Sequence, residues 1–161
     1  MAKIIMLCGK ICSGKSTYAK QIQKENNAVI LSCDDLMLTL FNEQLGDMHG
    51  LILKKCQIYL LSLAEQIVAA NVNVILDFGF WNKDERNSFT ALFHSKNIMT
   101  ELHYIKIDKA LWSARIEKRN TEVKNGMAKC YYIDENMKQL FDKAFEPPDQ
   151  DEVDVFIDNS K

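Results

Sequence analysis

The residues best suited to chemistry lie close to the amino terminus. Gly9-Lys10-Ile11-Cys12-Ser13-Gly14-Lys15-Ser16, followed by Thr17, has the spacing G-x-x-x-x-G-K-[S/T]. It stands between a short apolar run, Ile4 to Cys8, and a stretch of helical period, Ser16 to Asn26. An anion cradle needs that order. Backbone N–H groups of the loop and of the helix start converge on phosphate, and glycines let the chain wrap closely with no side chain in the way. On this reading Gly9 through Thr17 hold a nucleotide, the Lys15 ammonium reaches its β- and γ-phosphates, and the Ser16 hydroxyl ligates Mg²⁺.

Acids follow two further apolar runs. Leu31-Ser32-Cys33-Asp34-Asp35 leads into the helix-like Leu36 to Phe41. A carboxylate at such a position orients an acceptor hydroxyl, takes its proton and helps hold Mg²⁺ through water. Asp34 is the candidate for that work, although Asp is also a common helix N-cap, and one residue can do both. Asp35 suits the first helical turn. Val72-Asn73-Val74-Ile75-Leu76 ends in Asp77, a second candidate for the Mg²⁺ and water network or else a capping residue. Phe78, Phe80 and Trp81 after it are either the wall of an acceptor pocket or core, and Gly79 reads as a turn.

Positive charge gathers further along. The helical segment Lys109 to Arg119 carries Arg115, Lys118 and Arg119, and the polar, glycine-containing run Thr121 to Lys129 follows it. Arg115 and Arg119 lie one turn apart on one face. A lid over roughly residues 115–131 would bring an arginine onto the transferring phosphoryl group, where positive charge stabilises the transition state. The competing reading is a solvated helix in which Glu117 and Glu122 balance the arginines.

These residues need elements to hold them. Five apolar, β-branched runs, Ile4 to Cys8, Ala28 to Cys33, Val72 to Phe78, Glu101 to Ile107 and Val153 to Ile157, alternate with helical segments. The clearest of those are Ser16 to Asn26, Leu51 to Ala70, Lys83 to Lys96, Lys109 to Arg119 and Asp134 to Ala144. Alternation of this kind predicts right-handed βαβ crossovers, a mostly parallel sheet covered on both faces, and ligands at the carboxyl ends of the strands. Pro147 and Pro148 mark the last helix stop.

Composition limits the function classes. With 161 residues, 47% hydrophobic and 26% charged, the chain reads as one globular domain, 1–161. A net charge of −2 gives no global basic field to draw it to nucleic acid or anionic lipid. The weakly polar stretch Ile58 to Ala70 is too short for a membrane span, and no secretory leader precedes Lys3. Five cysteines, an odd number, suit a reducing cytoplasm.

Taken together, the phosphate loop, Leu31-Ser32-Cys33-Asp34-Asp35-Leu36, Val74-Ile75-Leu76-Asp77-Phe78-Gly79-Phe80-Trp81, Lys118-Arg119-Asn120 and Phe145-Glu146-Pro147-Pro148 resemble the small bacterial AAA-type ATP-binding kinases. That group is similar to chloramphenicol phosphotransferase, zeta toxins and polynucleotide 5′-hydroxyl kinases. The resemblance implies an adenylate-kinase-like α/β fold in three αβα layers, with a five-stranded parallel sheet and a short lid. It further implies ATP at Gly9 to Ser16, Asp34 as base, and Arg115 or Arg119 acting from the lid. Two positions depart from the polynucleotide kinases: Met37 and Val123 stand where those enzymes carry arginines. The expected activity is therefore Mg²⁺-dependent transfer of the γ-phosphoryl of ATP to a hydroxyl of a small molecule. A polynucleotide 5′-kinase and a slowly hydrolysing nucleotide switch are the alternatives, and acceptor and oligomeric state stay open.

Overall fold

A computed structural model describes residues 1–41 and 45–160. Strands β1 (Lys3–Cys8), β2 (Ala28–Ser32), β3 (Asn73–Gly79), β4 (Met99–Lys106) and β5 (Val155–Asp158) form one sheet in the order β2-β3-β1-β4-β5. Every pairing is parallel. The helices are α1 (Lys15–Glu25), α2 (Cys33–Phe41), α3 (His49–Ala69), α4 (Lys83–His94), α5 (Lys109–Lys124) and α6 (Glu135–Ala144).

The two-residue side-chain period of β1 divides the core between the two faces of the sheet. Ile4, Met6 and Cys8 pack with Leu60 and Ala64 of α3 and Phe93 of α4, whereas Ile5 and Leu7 pack with Ala19 and Ile22 of α1. Complete burial of Phe80 and Phe93 contributes about 1.5–3 kcal/mol each from apolar surface removed from water. A third, smaller cluster sets Trp112 and Ile116 of α5 and Ile133 beneath Ile11 and Cys12. That cluster packs directly against the phosphate loop through Ile11 and Cys12.

Local signals account for the helix starts. Asn82, Asp108 and Asp134 precede α4, α5 and α6, and each accepts the backbone N–H three residues on, at 2.8 Å. At α2 the cap differs from the sequence expectation, because the helix already begins at Cys33 and Ser32 Oγ accepts the Asp35 N–H at 3.2 Å. Asp34 and Asp35 both fall in the first turn, where negative charge is favourable.

α5 runs five residues beyond Arg119 and takes in the first half of the polar stretch expected to be lid. It stops at a Schellman arrangement in which Gly126 (φ 67°) and Met127 donate to the carbonyls of Val123 and Glu122. Among the described residues no helix is long and apolar enough to cross a membrane, and all five cysteines are free thiols.

Candidate active site

β1 and β3 are neighbours whose connections depart in opposite directions, so a crevice opens beyond their carboxyl ends. Gly9 N–H donates to Gly79 O at 3.1 Å, which fastens the phosphate loop to the end of β3. A Cβ on Gly9 would stand 2.7 Å from both Ile105 O and Ser13 Oγ, so only glycine fits. Gly14 takes a left-handed φ of 103° as the N-cap of α1, and the first N–H groups of that helix have no acceptor within it. Cys12 is also left-handed, at φ 59°.

Three side chains hold this loop from outside. Trp112 Nε1 donates to Ile11 O at 2.8 Å, Arg115 Nη1 donates to Ser13 O at 3.1 Å, and Asn159 Nδ2 donates to the same carbonyl at 2.9 Å. Lys10 is committed elsewhere: its ammonium lies over the Trp112 ring at 4.5 Å and pairs with Asp142 of α6.

Lys15 curls into its own loop and donates to Gly9 O at 3.0 Å and Lys10 O at 2.8 Å. Burial lowers its pKa, while the nearby Asp77 and Asp34 carboxylates favour the ammonium. Ser16 Oγ donates to Asp77 Oδ2 at 2.6 Å. A hydroxyl beside a carboxylate is a hard oxygen set of the kind Mg²⁺ takes when its other ligands are waters and phosphate oxygens. No cluster of three or more His, Cys, Asp or Glu able to cage a metal occurs among the described residues. Asp34 is raised in pKa, first by burial and then by Asp77, against the opposing pull of Lys15 and Arg119.

Two cavities meet here. The first, about 600 Å³, is bordered by Ile11, Cys12 and Gly14 through Thr17, and by Asp34, Asp77, Arg115, Arg119 and Asn159. The second, about 480 Å³, shares Ile11, Lys15, Asp34 and Asp77 and extends away among Trp81, Phe141, Tyr131 and Glu85. Lys15, Asp34 and Asp77 therefore stand at the junction.

The sequence-selected residues separate accordingly. Ser16, Thr17, Arg115 and Arg119 border the first cavity, whereas Gly9, Lys10 and Ser13 lie behind the loop surface. Among the described residues neither arginine pairs with an acid: Arg115 holds loop carbonyls, Arg119 Nη1 lies 3.6 Å from Cys12 Sγ, and Glu122 faces Lys118. Phe78 and Trp81 border the second cavity, but Phe80 is wholly buried. Gly79 (φ 91°) and Phe80 (φ 48°) are both left-handed, which breaks strand alternation and turns Phe80 inward. Sequence reasoning missed His49, Gln57, Glu85, Tyr131, Met137 and Phe141 of the second cavity and Asn159 of the first. Only Asn159 had a signal, its place directly after the last strand.

Known structures share this architecture. Kti12 of Chaetomium thermophilum, in complex with ADP-AlF3, superposes with a TM-score of 0.73 at 13% identity, over 98% of this chain and 88% of its own. The Mycobacterium tuberculosis APS kinase, in complex with AMPPNP and APS, gives 0.64 at 15% over 99% and 90%. A gluconokinase from Sinorhizobium meliloti gives 0.64 at 13% over 99% and 83%. At such identities the likeness establishes the fold alone, a three-layer αβα arrangement around a five-stranded parallel sheet. No curated protein matches the sequence. The AAA-domain family matches residues 4–142, nearly the whole of the αβα unit just described, and the chain belongs to that family.

Proposed function

We propose that the protein is a phosphotransferase that moves the γ-phosphoryl group of Mg·ATP to a hydroxyl of a small molecule. The carrying observation is the meeting of two cavities at Ile11, Lys15, Asp34 and Asp77, one running along the phosphate loop to Thr17 and the other extending away from it among Trp81, Glu85, Tyr131 and Phe141. The first takes the nucleotide and the second the acceptor.

With Mg²⁺ bound, the ion neutralises charge on the β- and γ-phosphates; Ser16 Oγ and Asp77 would hold it, with Asp34 reaching it through water. Asp34 accepts the proton of the acceptor hydroxyl. The freed oxygen lone pair forms a bond to the γ-phosphorus, the bond from that phosphorus to the β,γ-bridging oxygen breaks, and its electron pair leaves on ADP. Burial suits Asp34 to this task, because a carboxylate of raised proton affinity is the better base. Lys15 supplies fixed positive charge at the phosphates, and Arg115 or Arg119, both beside the first cavity, adds charge from the lid side.

The reading is tested by calorimetric binding of Mg·ATP and by ADP release from the full chain, each with and without Lys15→Ala. Binding and turnover should both fall in the variant, because the ammonium touches the nucleotide in ground and transition states alike. Wild-type protein that binds no Mg·ATP, or a variant indistinguishable from it, sinks the proposal.

A further inference from the structure

The chemistry of the second cavity bears on what the acceptor is. Among the described residues its acidic and basic side chains are Lys15, Asp34, Asp77, Glu85 and His49. Lys15, Asp34 and Asp77 border the nucleotide cavity as well, so Glu85 is the charged side chain that faces the second cavity alone, and Asp34 joins it there as the carboxylate assigned to the acceptor hydroxyl. Among the described residues no arginine and no further lysine borders it. The one guanidinium nearby in sequence, Arg86, is committed to Glu152 at 3.0 Å and to the carbonyls of Phe80 and Glu146.

An anionic acceptor entering this space would lose its hydration, meet no opposite charge beyond the phosphate-bound Lys15, and be repelled by two acids. A cation would gain what the anion loses. Glu85 is fixed for that contact, since its carboxylate accepts the Trp81 N–H at 3.1 Å and lies 3.5 Å from Gln57 Nε2.

The far wall offers hydrogen bonds to neutral groups. Tyr131 Oη and His49 Nδ1 are buried and have no hydrogen-bond partner among the described residues, and their rings meet edge to face at 5.4 Å. A ligand hydroxyl or amine satisfies either one, whereas leaving buried polar atoms unpaired is costly. Between this wall and Asp34 the surface is apolar and partly flat, with Trp81 edge-on to Phe141 at 5.1 Å.

We infer that the second cavity takes a non-anionic alcohol with an apolar body, prefers one carrying an ammonium group, and rejects phosphorylated and carboxylated acceptors. The assignment rests on the preceding reading that Asp34 faces the acceptor. It also disfavours a polynucleotide acceptor, whose phosphodiester would need positive charge that this wall lacks.

Charge-matched probes test it. The full chain saturated with Mg²⁺ and a non-hydrolysable ATP analogue is titrated calorimetrically with 2-amino-1-phenylethanol, 2-phenylethanol and 3-phenyllactate, and with a nucleoside against its 5′-monophosphate. The amino alcohol should bind about tenfold tighter than the hydroxy acid, and the nucleoside tighter than its monophosphate. Glu85→Gln, which keeps the shape and one oxygen to accept the Trp81 N–H, should bring amino alcohol and neutral alcohol within about twofold of each other. Tyr131→Phe should weaken both by about three- to tenfold.

An anion that binds as tightly as its partner, no binding of any probe at about 10 mM, or an unchanged ratio in folded Glu85→Gln overturns the inference. Should that variant fail to fold, the wild-type ratios decide alone. Labelled-phosphate transfer is read separately. Charge selection without transfer counts against the kinase reading only, and transfer to an anionic alcohol counts against this inference only.

Discussion

The two cavities that meet at Lys15 are built in opposite ways. The nucleotide side is built around one contiguous run, Ile11, Cys12 and Gly14 through Thr17, whose loop is held by Trp112, Arg115 and Asn159 from elements far away in sequence. The acceptor side is made of side chains from α2, α3, β3, α4, α6 and the segment around Tyr131. A backbone cradle recognises phosphate, which is common to every nucleoside triphosphate, so it tolerates wide variation in the side chains around it. A side-chain cavity changes its specificity with each substitution. Generic chemistry is thus held in the part of the chain that is hardest to alter, and the identity of the reaction in the part that is easiest.

Asp34 belongs to both cavities and gives the sharpest way to break that division. Asp34→Asn keeps the size of the side chain and removes its basicity. It should lower kcat by about 10²–10⁴-fold and leave Mg·ATP affinity nearly unchanged. Steady-state ADP release in the presence of acceptor, set beside calorimetry with the nucleotide, gives both quantities. A variant with normal kcat removes Asp34 from the chemistry, and one that loses nucleotide affinity places the residue with the phosphate loop.

The contrast also explains what could be read from sequence. Strand order along the chain, the phosphate loop and the acids after β2 and β3 are visible because each is a contiguous run whose local pattern dictates its structure. Even there, a short apolar run does not reveal where alternation fails. Phe78 and Phe80 look alike in sequence and their rings stack at 5.8 Å, yet Phe78 borders the cavity and Phe80 is wholly buried, where the left-handed pair Gly79 and Phe80 ends the strand. Arg115 was legible as a basic residue near the site, but its grip on Ser13 O depends on how α5 lies across the loop. Glu85 and Tyr131 carried no local mark at all. One sits in the first turn of a helix and the other in an irregular segment, and their meeting in one cavity is a product of tertiary packing.

A paired glycine experiment sharpens the division with smaller effects. Gly9→Ala drives a methyl against Ile105 O and Ser13 Oγ at 2.7 Å, behind the phosphate loop, and displaces the loop itself. Gly79→Ala drives one against the Trp81 ring, 2.7 Å from Nε1, on the acceptor side, at a φ of 91° that alanine resists. Gly9→Ala should weaken Mg·ATP about tenfold or more, whereas Gly79→Ala should raise the acceptor KM by a similar factor and leave ATP affinity within about twofold. Equal damage to both affinities from either variant would mean that the two cavities move as one unit.

The smallest expected effect concerns the strut behind the acceptor wall. Arg86 of α4, only 2% exposed, ties Phe80 O and Glu146 O to the Glu152 carboxylate, and Lys83 and the Asp149 N–H also face that carboxylate. The Arg86 hydrogen bond lowers the Glu152 pKa, against the opposing effect of burial. A carboxylate held below its unfolded value stabilises the fold above that value, and the contribution is lost as pH falls through the folded one. Thermal stability should therefore decline from about pH 5 downward, with a shallower slope in Glu152→Gln, which starts less stable at neutral pH. Asp142 and Asp149, held low by lysines, add to the slope, as does the lowered Glu101, whereas Asp34 and Glu85, raised by burial, oppose it. Melting temperatures of both proteins between about pH 7 and 3 give the comparison. Parallel curves would show that the ion pair does not couple acid to the acceptor wall, and a loss of nucleotide affinity in the variant would tie this strut to the phosphate loop instead.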